Sequence, residues 1–380
     1  MHIDSPARSI AHAIAGAIAG TAFLAATAVA DTQIYGVAHV SLDHVDNGDS
    51  SGHQLSSNSS RIGFKGSEDL GNGLTALWQI ESAANLTGGA SASTGFAGRN
   101  SYVGLRGGFG TALFGRHDTP YKMSTGRLDV FGDKLADYNA IVGSADDCPA
   151  SLDAINGIAY VETCAVFDNR TNNTLAWLSP SFGGLSVALA YVTDVAANGD
   201  RPGPTSNDGR AYSLSLSYEA GPLYLTLAHE RIDNAAISYD FDGIVFIPNI
   251  QDISATKAGG SYTFGATTLN ALVEHLDSGI DKRTGWYLGG RHSLGSSYVA
   301  AAAGQSGERD AFDDSNATFM AIGAGHHFSK RTEVYALWVQ VDNQDNAGYG
   351  IGFAGHGKPV DAWDWGNTVR GLSAGVVHRF

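Results

Sequence analysis

Tyr212-Ser213-Leu214-Ser215-Leu216-Ser217-Tyr218 is the stretch that decides the fold. In an extended chain successive side chains point to opposite faces, so the tyrosines and leucines share one face and the serines the other. The tyrosines are six residues apart, or about 20 Å along a strand. That span fits two aromatic girdles around an apolar band of about 25 Å, with strand tilt shortening the projection. A half-buried strand of a soluble sandwich alternates in the same way, so repetition has to decide between them.

Similar segments recur near 33–43, 58–68, 74–82, 99–106, 111–117, 173–179, 185–193, 211–218, 223–231, 255–263, 267–276, 284–293, 297–305, 318–328, 332–341 and 370–380. Short turns such as Asp69–Gly73, Gly107–Gly110 and Leu294–Ser296 alternate with longer loops near 44–57, 83–98, 118–172, 194–210, 232–254, 277–283, 306–317 and 342–369. All short turns therefore fall at one end, together with both termini. A Greek-key sandwich mixes crossover lengths at both ends. Regular alternation and an even strand count near sixteen predict an up-and-down barrel in a membrane. A barrel this wide cannot fill itself with side chains, so a water channel follows.

Composition is compatible with this. The 380 residues carry a net charge of −15, 43% hydrophobic residues, 49 Gly and 9 Pro. Beyond the N-terminus no apolar run approaches the roughly 20 residues of a membrane helix. Barrel strands hide their membrane character because lipid-facing and lumen-facing residues alternate. The acidic balance argues against nucleic acid as a partner, which requires clustered Lys and Arg.

Residues 1–30 read as an export leader. Ile10–Val29 is rich in Ala, Ile and Gly, and Ala28-Val29-Ala30 has the small-x-small pattern of a cleavage site. Arg8 is the leader's one Lys or Arg, and a short buried helix is the alternative. The single domain then spans 31–380 in an oxidising compartment, where Cys148 and Cys164 most simply form one disulfide. No CxxC spacing or neighbouring His favours a metal site instead.

The segment 117–172 drops the strand rhythm, and loops beyond about 15 residues inside a domain are usually functional. We expect it to fold into the lumen and narrow it. Ser60-Arg-Ile-Gly-Phe-Lys-Gly66, Arg99-Asn-Ser-Tyr-Val-Gly-Leu105, Phe114-Gly-Arg-His-Asp-Thr-Pro120 and the terminal His378-Arg-Phe380 resemble Gram-negative porins, above all the neisserial and β-proteobacterial branch. The resemblance covers essentially the whole mature chain. It implies a homotrimer of 16-stranded barrels in the bacterial outer membrane, passing ions and small hydrophilic solutes, with Phe380 as an assembly signal. It also implies a constriction with Arg61, Arg99 and Arg170 on the wall and Asp129, Asp133 and, more weakly, Asp137 on the loop. Strand phase independently puts Arg61 and Lys65 in the lumen, opposite Ile62 and Phe64. Arg116 and Lys122 flank the loop's start, so they either anchor it or line the channel. Rings of Arg favour anions, although the acidic total pulls the other way at the mouth.

Other site signals fail. Gly350-Ile-Gly-Phe-Ala-Gly355 has dinucleotide-fingerprint spacing, but Pro359 follows where a helix is needed. His326-His327 and Glu274-His275 lack further metal ligands, and Asp43, Asp46 and Asp49 lack calcium-loop spacing. There is no Walker loop. An outer-membrane barrel hydrolase is the second hypothesis. A carbohydrate-binding β protein, prompted by Trp363 and Trp365, is the third. We expect no cofactor, no metal and no enzymatic activity.

Overall fold

The computed structural model describes residues 31–88, 95–143, 154–155, 158–159, 167–193, 209–235, 239–241, 244–246, 251–277, 282–310 and 312–380. The expected leader and the Cys148–Cys164 bridge lie outside the described residues. The strands are β1 (Asp31–Asp46), β2 (Ser51–Ser57 continued by Arg61–Gly71), β3 (Leu74–Ala83), β4 (Ser101–Gly107), β5 (Gly110–Asp118), β6 (Arg170–Leu178), β7 (Leu185–Val192), β8 (Arg210–Ala220), β9 (Leu223–Ala235), β10 (Gln251–Phe264), β11 (Thr267–Asp277), β12 (Lys282–Leu294), β13 (Ser297–Ser306), β14 (Ala317–His327), β15 (Thr332–Asn343) and β16 (Val369–Arg379).

Each strand pairs antiparallel with the next, and β16 returns to β1 through Leu42↔Ala374 and Val40↔Val376. The sheet has seventeen hydrogen-bonded stretches, two of which are halves of β2, so sixteen strands close the barrel. The break in β2 falls at 58–60, where Ser59 adopts φ 46°. Ser60 stitches it shut, exchanging hydrogen bonds of 2.9 Å with the backbone N–H and C=O of His39.

Polarity is inverted relative to a soluble protein. Tyr212 and Tyr218 are 45% and 39% exposed on the outer face, whereas Ser213 and Ser215 are 4% and 5% exposed within. Apolar side chains facing outward along every strand require a hydrocarbon surround, which excludes the soluble sandwich.

Three expectations need correction. The first long loop, read near 44–57, is a tight connection of Asn47–Ser50, because β1 runs to Asp46 and the Ser51–Ser57 arm pairs with it. Serine, glycine and histidine conceal that arm, yet Leu42↔Leu55 and His44↔His53 are its cross-strand pairs. Long and short connections therefore do not alternate at that position. Arg170 opens β6 instead of preceding it, and Arg99 stands two residues before β4.

The seam depends on the last residue. Phe380 and Gly36 exchange backbone hydrogen bonds of 3.0 and 3.1 Å, and the Phe380 ring lies where a Gly36 side chain would stand. Replacing Gly36 with Val should displace the ring and cost roughly 1–3 kcal/mol, as overpacking does. The expected outcome is a smaller folded, heat-modifiable fraction on unboiled gels. Phe380→Ala should lower it too, and the double variant should not add to the loss.

Candidate functional site

The described part of the third long loop (119–143 and 167–169) enters the lumen through a short helix, α1 (Pro120–Thr125). Pro120 supplies the fixed φ favoured at a helix start, and the Thr119 hydroxyl accepts a hydrogen bond from the Lys122 N–H at 3.3 Å. Beyond α1 the backbone is irregular, and carboxylates organise it. Asp129 accepts from the N–H groups of Phe131 (2.8 Å) and Tyr138 (3.1 Å) and from the Tyr287 hydroxyl (3.1 Å). Asp137 accepts from the N–H groups of Asn139 and Asp133, both at 3.0 Å. Burial pushes both carboxyls above the usual range. Asp133 is half-buried at φ 60°.

Glycines on the wall receive the loop's apolar side chains. A Cβ at lumen-facing Gly259, Gly289, Gly323 or Gly371 would meet Leu128, Val130, Phe131 or Leu135 at 2.6, 3.0, 3.0 and 2.6 Å. A β-branched wall would hold the loop off, so the loop's position is set by missing side chains. Polar clasps fix it further. Asn270 donates to the Leu128 carbonyl at 2.8 Å, Glu274 accepts from Tyr121 and from the Gly143 N–H, and Lys257 pairs with Asp168. The last pair is fully buried, with the Lys257 ammonium 4.0 Å from the Tyr121 ring centre. Tyr138 and Asn139 complete the Asp168 carboxylate at 3.1 and 3.2 Å.

These contacts lie on β10 to β16, and the wall from β2 to β6 carries none of them. There the predicted basic residues gather around two acids that the sequence reading missed. Glu81 accepts from Arg99 Nε at 2.7 Å and from the Tyr35 hydroxyl at 2.8 Å, with Arg61 Nε 3.7 Å away. Asp118 faces Arg170 at 3.0 Å and Lys122 at 3.8 Å, and Asn100 bridges Arg170 to Asp118. Arg116 Nε donates to the Gly98 carbonyl at 2.8 Å, and Lys65 lies 5.1 Å from the Tyr35 ring centre. Among the described residues no ion pair joins Asp129, Asp133 or Asp137 to an arginine. Glu81 shares the lumen phase of Gln79, opposite Gly63 in β2, so strand alternation was the signal that could have found it.

The last loop (344–368) also turns inward. Tyr349 bonds Ser306 and Arg283 at 2.6 and 2.8 Å, and His356 meets Asp43 at 3.0 Å with both side chains fully buried. Its glycine run, spaced like a dinucleotide fingerprint, permits close packing. Gly355 abuts Asp133 of the third loop, and a Cβ at Gly352 would meet Leu135 at 3.2 Å. The two loops thus touch inside the barrel, beside β16.

Known proteins give the same picture. Residues 13–346 match the sequence profile of the Gram-negative porins. The major outer membrane protein P.IB of Neisseria gonorrhoeae is 27% identical over 351 residues, covering 84% of this chain and 91% of that protein. Outer membrane porin protein 32 of Delftia acidovorans is 27% identical over 380 residues, covering 94% and 96%. Among solved structures, an anion-selective porin from Comamonas acidovorans superposes with a TM-score of 0.73 at 24% identity, covering 92% of this chain and all of that one. OmpT of Vibrio cholerae does so at 0.65 and 16% identity, covering 93% and 100%.

Two substitutions test how the third loop is held. Gly371→Val should push Leu135 off the wall toward the open side of the lumen and lower single-channel conductance in planar bilayers. Lys257→Met should leave Asp168 buried without its cation and cost roughly 3–5 kcal/mol. That loss should appear in chemical unfolding in detergent, and adding Asp168→Asn should recover most of it.

Proposed function

The chain belongs to the Gram-negative porin family and is a diffusion channel of the bacterial outer membrane, not an enzyme; within that frame we propose that it favours small anions. The supporting observation is the wall from β2 to β6, which carries Arg61, Lys65, Arg99, Arg116 and Arg170 and where, among the described residues, Glu81 and Asp118 are the carboxylates paired with Arg61, Arg99 and Arg170. Asp129 and Asp137 spend their oxygens on the loop's own backbone. In this proposal Asp133 is the loop acid nearest the channel, and Asp129 and Asp137 hold the loop's shape. The solved neighbour from Comamonas acidovorans is itself described as anion-selective.

Transport on this reading is passive. Two unit charges about 5 Å apart in water interact by about 0.8 kcal/mol, roughly a fourfold bias in occupancy. Salt weakens it beyond a Debye length of about 8 Å at physiological ionic strength. Such terms set a preference among small ions and hydrophilic solutes without closing the channel to either sign.

Three further features belong to the proposal: residues 1–30 as an export leader, a Cys148–Cys164 staple in the third loop, and assembly as a homotrimer. The staple should contribute roughly 3 kcal/mol in the chain-entropy model. OmpT of Vibrio cholerae, a structural neighbour, is described in a trimer form.

Reversal potentials in a salt gradient test the selectivity. Arg61→Glu should move the zero-current potential toward cations, and Glu81→Gln, which releases Arg61 and Arg99, should move it toward anions. An unmoved potential in both variants would remove this cluster from the conduction path. Conductance that closes in groups of three equal steps is expected for the trimer.

A further inference from the structure

The outer face carries a repeated histidine pair that conduction does not use. On three alternate strands a histidine stands two residues before an outward apolar residue at the short-turn end: His292 before Leu294, His326 before Phe328 and His378 before Phe380. Leu294, Phe328 and Phe380 are 55%, 69% and 49% exposed. Each histidine is the direct cross-strand partner of the first residue of a neighbouring strand, Thr267, Ser297 or Thr332. Each Nδ1 lies within hydrogen-bond distance of that hydroxyl, at 2.8, 2.8 and 3.0 Å.

Strand geometry fixes the depth. A two-residue step is about 6.7 Å, so each imidazole sits that much deeper along its strand than the terminal Leu or Phe. This is the boundary where hydrocarbon meets headgroups. A neutral imidazole has one donor and one acceptor, and an unmatched polar group there is costly. A hydroxyl that donates to Nδ1 leaves the ring proton on Nε2. Among the described residues Nε2 has no partner in any of the three.

We propose that His292, His326 and His378 form a lipid-binding belt, each donating from Nε2 to the glycerol-ester carbonyl of a phospholipid in the periplasmic leaflet. Phosphate lies further out, beyond Leu294, Phe328 and Phe380, and the ester carbonyl is the acceptor at this depth. The threonine and serine hydroxyls act as positioning groups, selecting the tautomer that presents Nε2–H outward.

The test reconstitutes the full-length protein into bilayers of diester phosphatidylglycerol or diether phosphatidylglycerol, which share a headgroup and differ in the carbonyls. The wild type should show a higher thermal unfolding midpoint in the diester bilayer. The difference should vanish in the triple variant His292→Phe, His326→Phe, His378→Phe, which keeps aromatic bulk and loses the donor. Equal midpoints for the wild type in the two bilayers would overturn the proposal, as would a diester advantage that survives in the triple variant. If that variant fails to insert, the infrared ester-carbonyl band around the wild-type protein decides. A hydrogen-bonded component lost with Thr267→Val, Ser297→Ala, Thr332→Val supports the belt, and its persistence in that variant refutes it.

Discussion

Hydrocarbon offers no partner to a backbone N–H or C=O, and each group left unpaired there costs several kcal/mol. The closure of β1 on β16 answers that constraint, with paired residues running from Val37↔Arg379 to Asp46↔Arg370. On its other edge β1 pairs with both halves of β2, so one strand carries the seam and the first hairpin together. Once the ladder is closed, the side chains have only two destinations. On β8, for example, Tyr212, Leu214, Leu216 and Tyr218 face lipid, and Ser213 and Ser215 face the lumen. The same closure produces an interior too wide for wall side chains to fill.

Two loops partly fill it, and in doing so they import irregular backbone into a confined space. Those buried N–H and C=O groups need partners as much as the strands do. Asp129, Asp137 and Glu274 supply acceptors and Asn270 a donor. This explains why a run of loop acids need not mean an acidic channel wall. The irregular fold uses its own carboxylates, and what faces the solute is set by what remains. On the wall behind the loop, glycine does the complementary job by leaving room for Leu128, Val130, Phe131 and Leu135.

Much of this was legible in the sequence because membrane strands have a strict period. The Tyr212–Tyr218 alternation placed its residues on the correct faces, and the phase of Arg61 and Lys65 put both in the lumen. The illegible parts share a physical cause. The Ser51–Ser57 arm rises from the barrel as a hairpin, and serine and histidine there carry no apolar signal. Glu81 looked like one polar residue among several, since its importance comes from Arg61, Arg99 and Tyr35 converging from other segments. The inward course of the last loop depends on Asp43 meeting His356 across more than three hundred residues, which no local pattern encodes.

The chain's total of −15 and its basic wall look contradictory until distance is considered. Acids scattered over loops and mouths act through water and salt, and beyond about 8 Å their fields are largely screened. On the proposed reading, a solute passing that wall comes closer to Arg61, Arg99 and Arg170 than to the acids of the mouth, and screening has less room to act. Glu81 does not cancel this cluster so much as allow it to exist. Arg61 and Arg99 would repel each other without an intervening carboxylate, and Glu81, 6% exposed, lets two guanidinium groups share one anion. One negative charge between two positive ones leaves a net cation held in place. Glu81 thus sets where the positive charge of the pair stands while subtracting one unit from it.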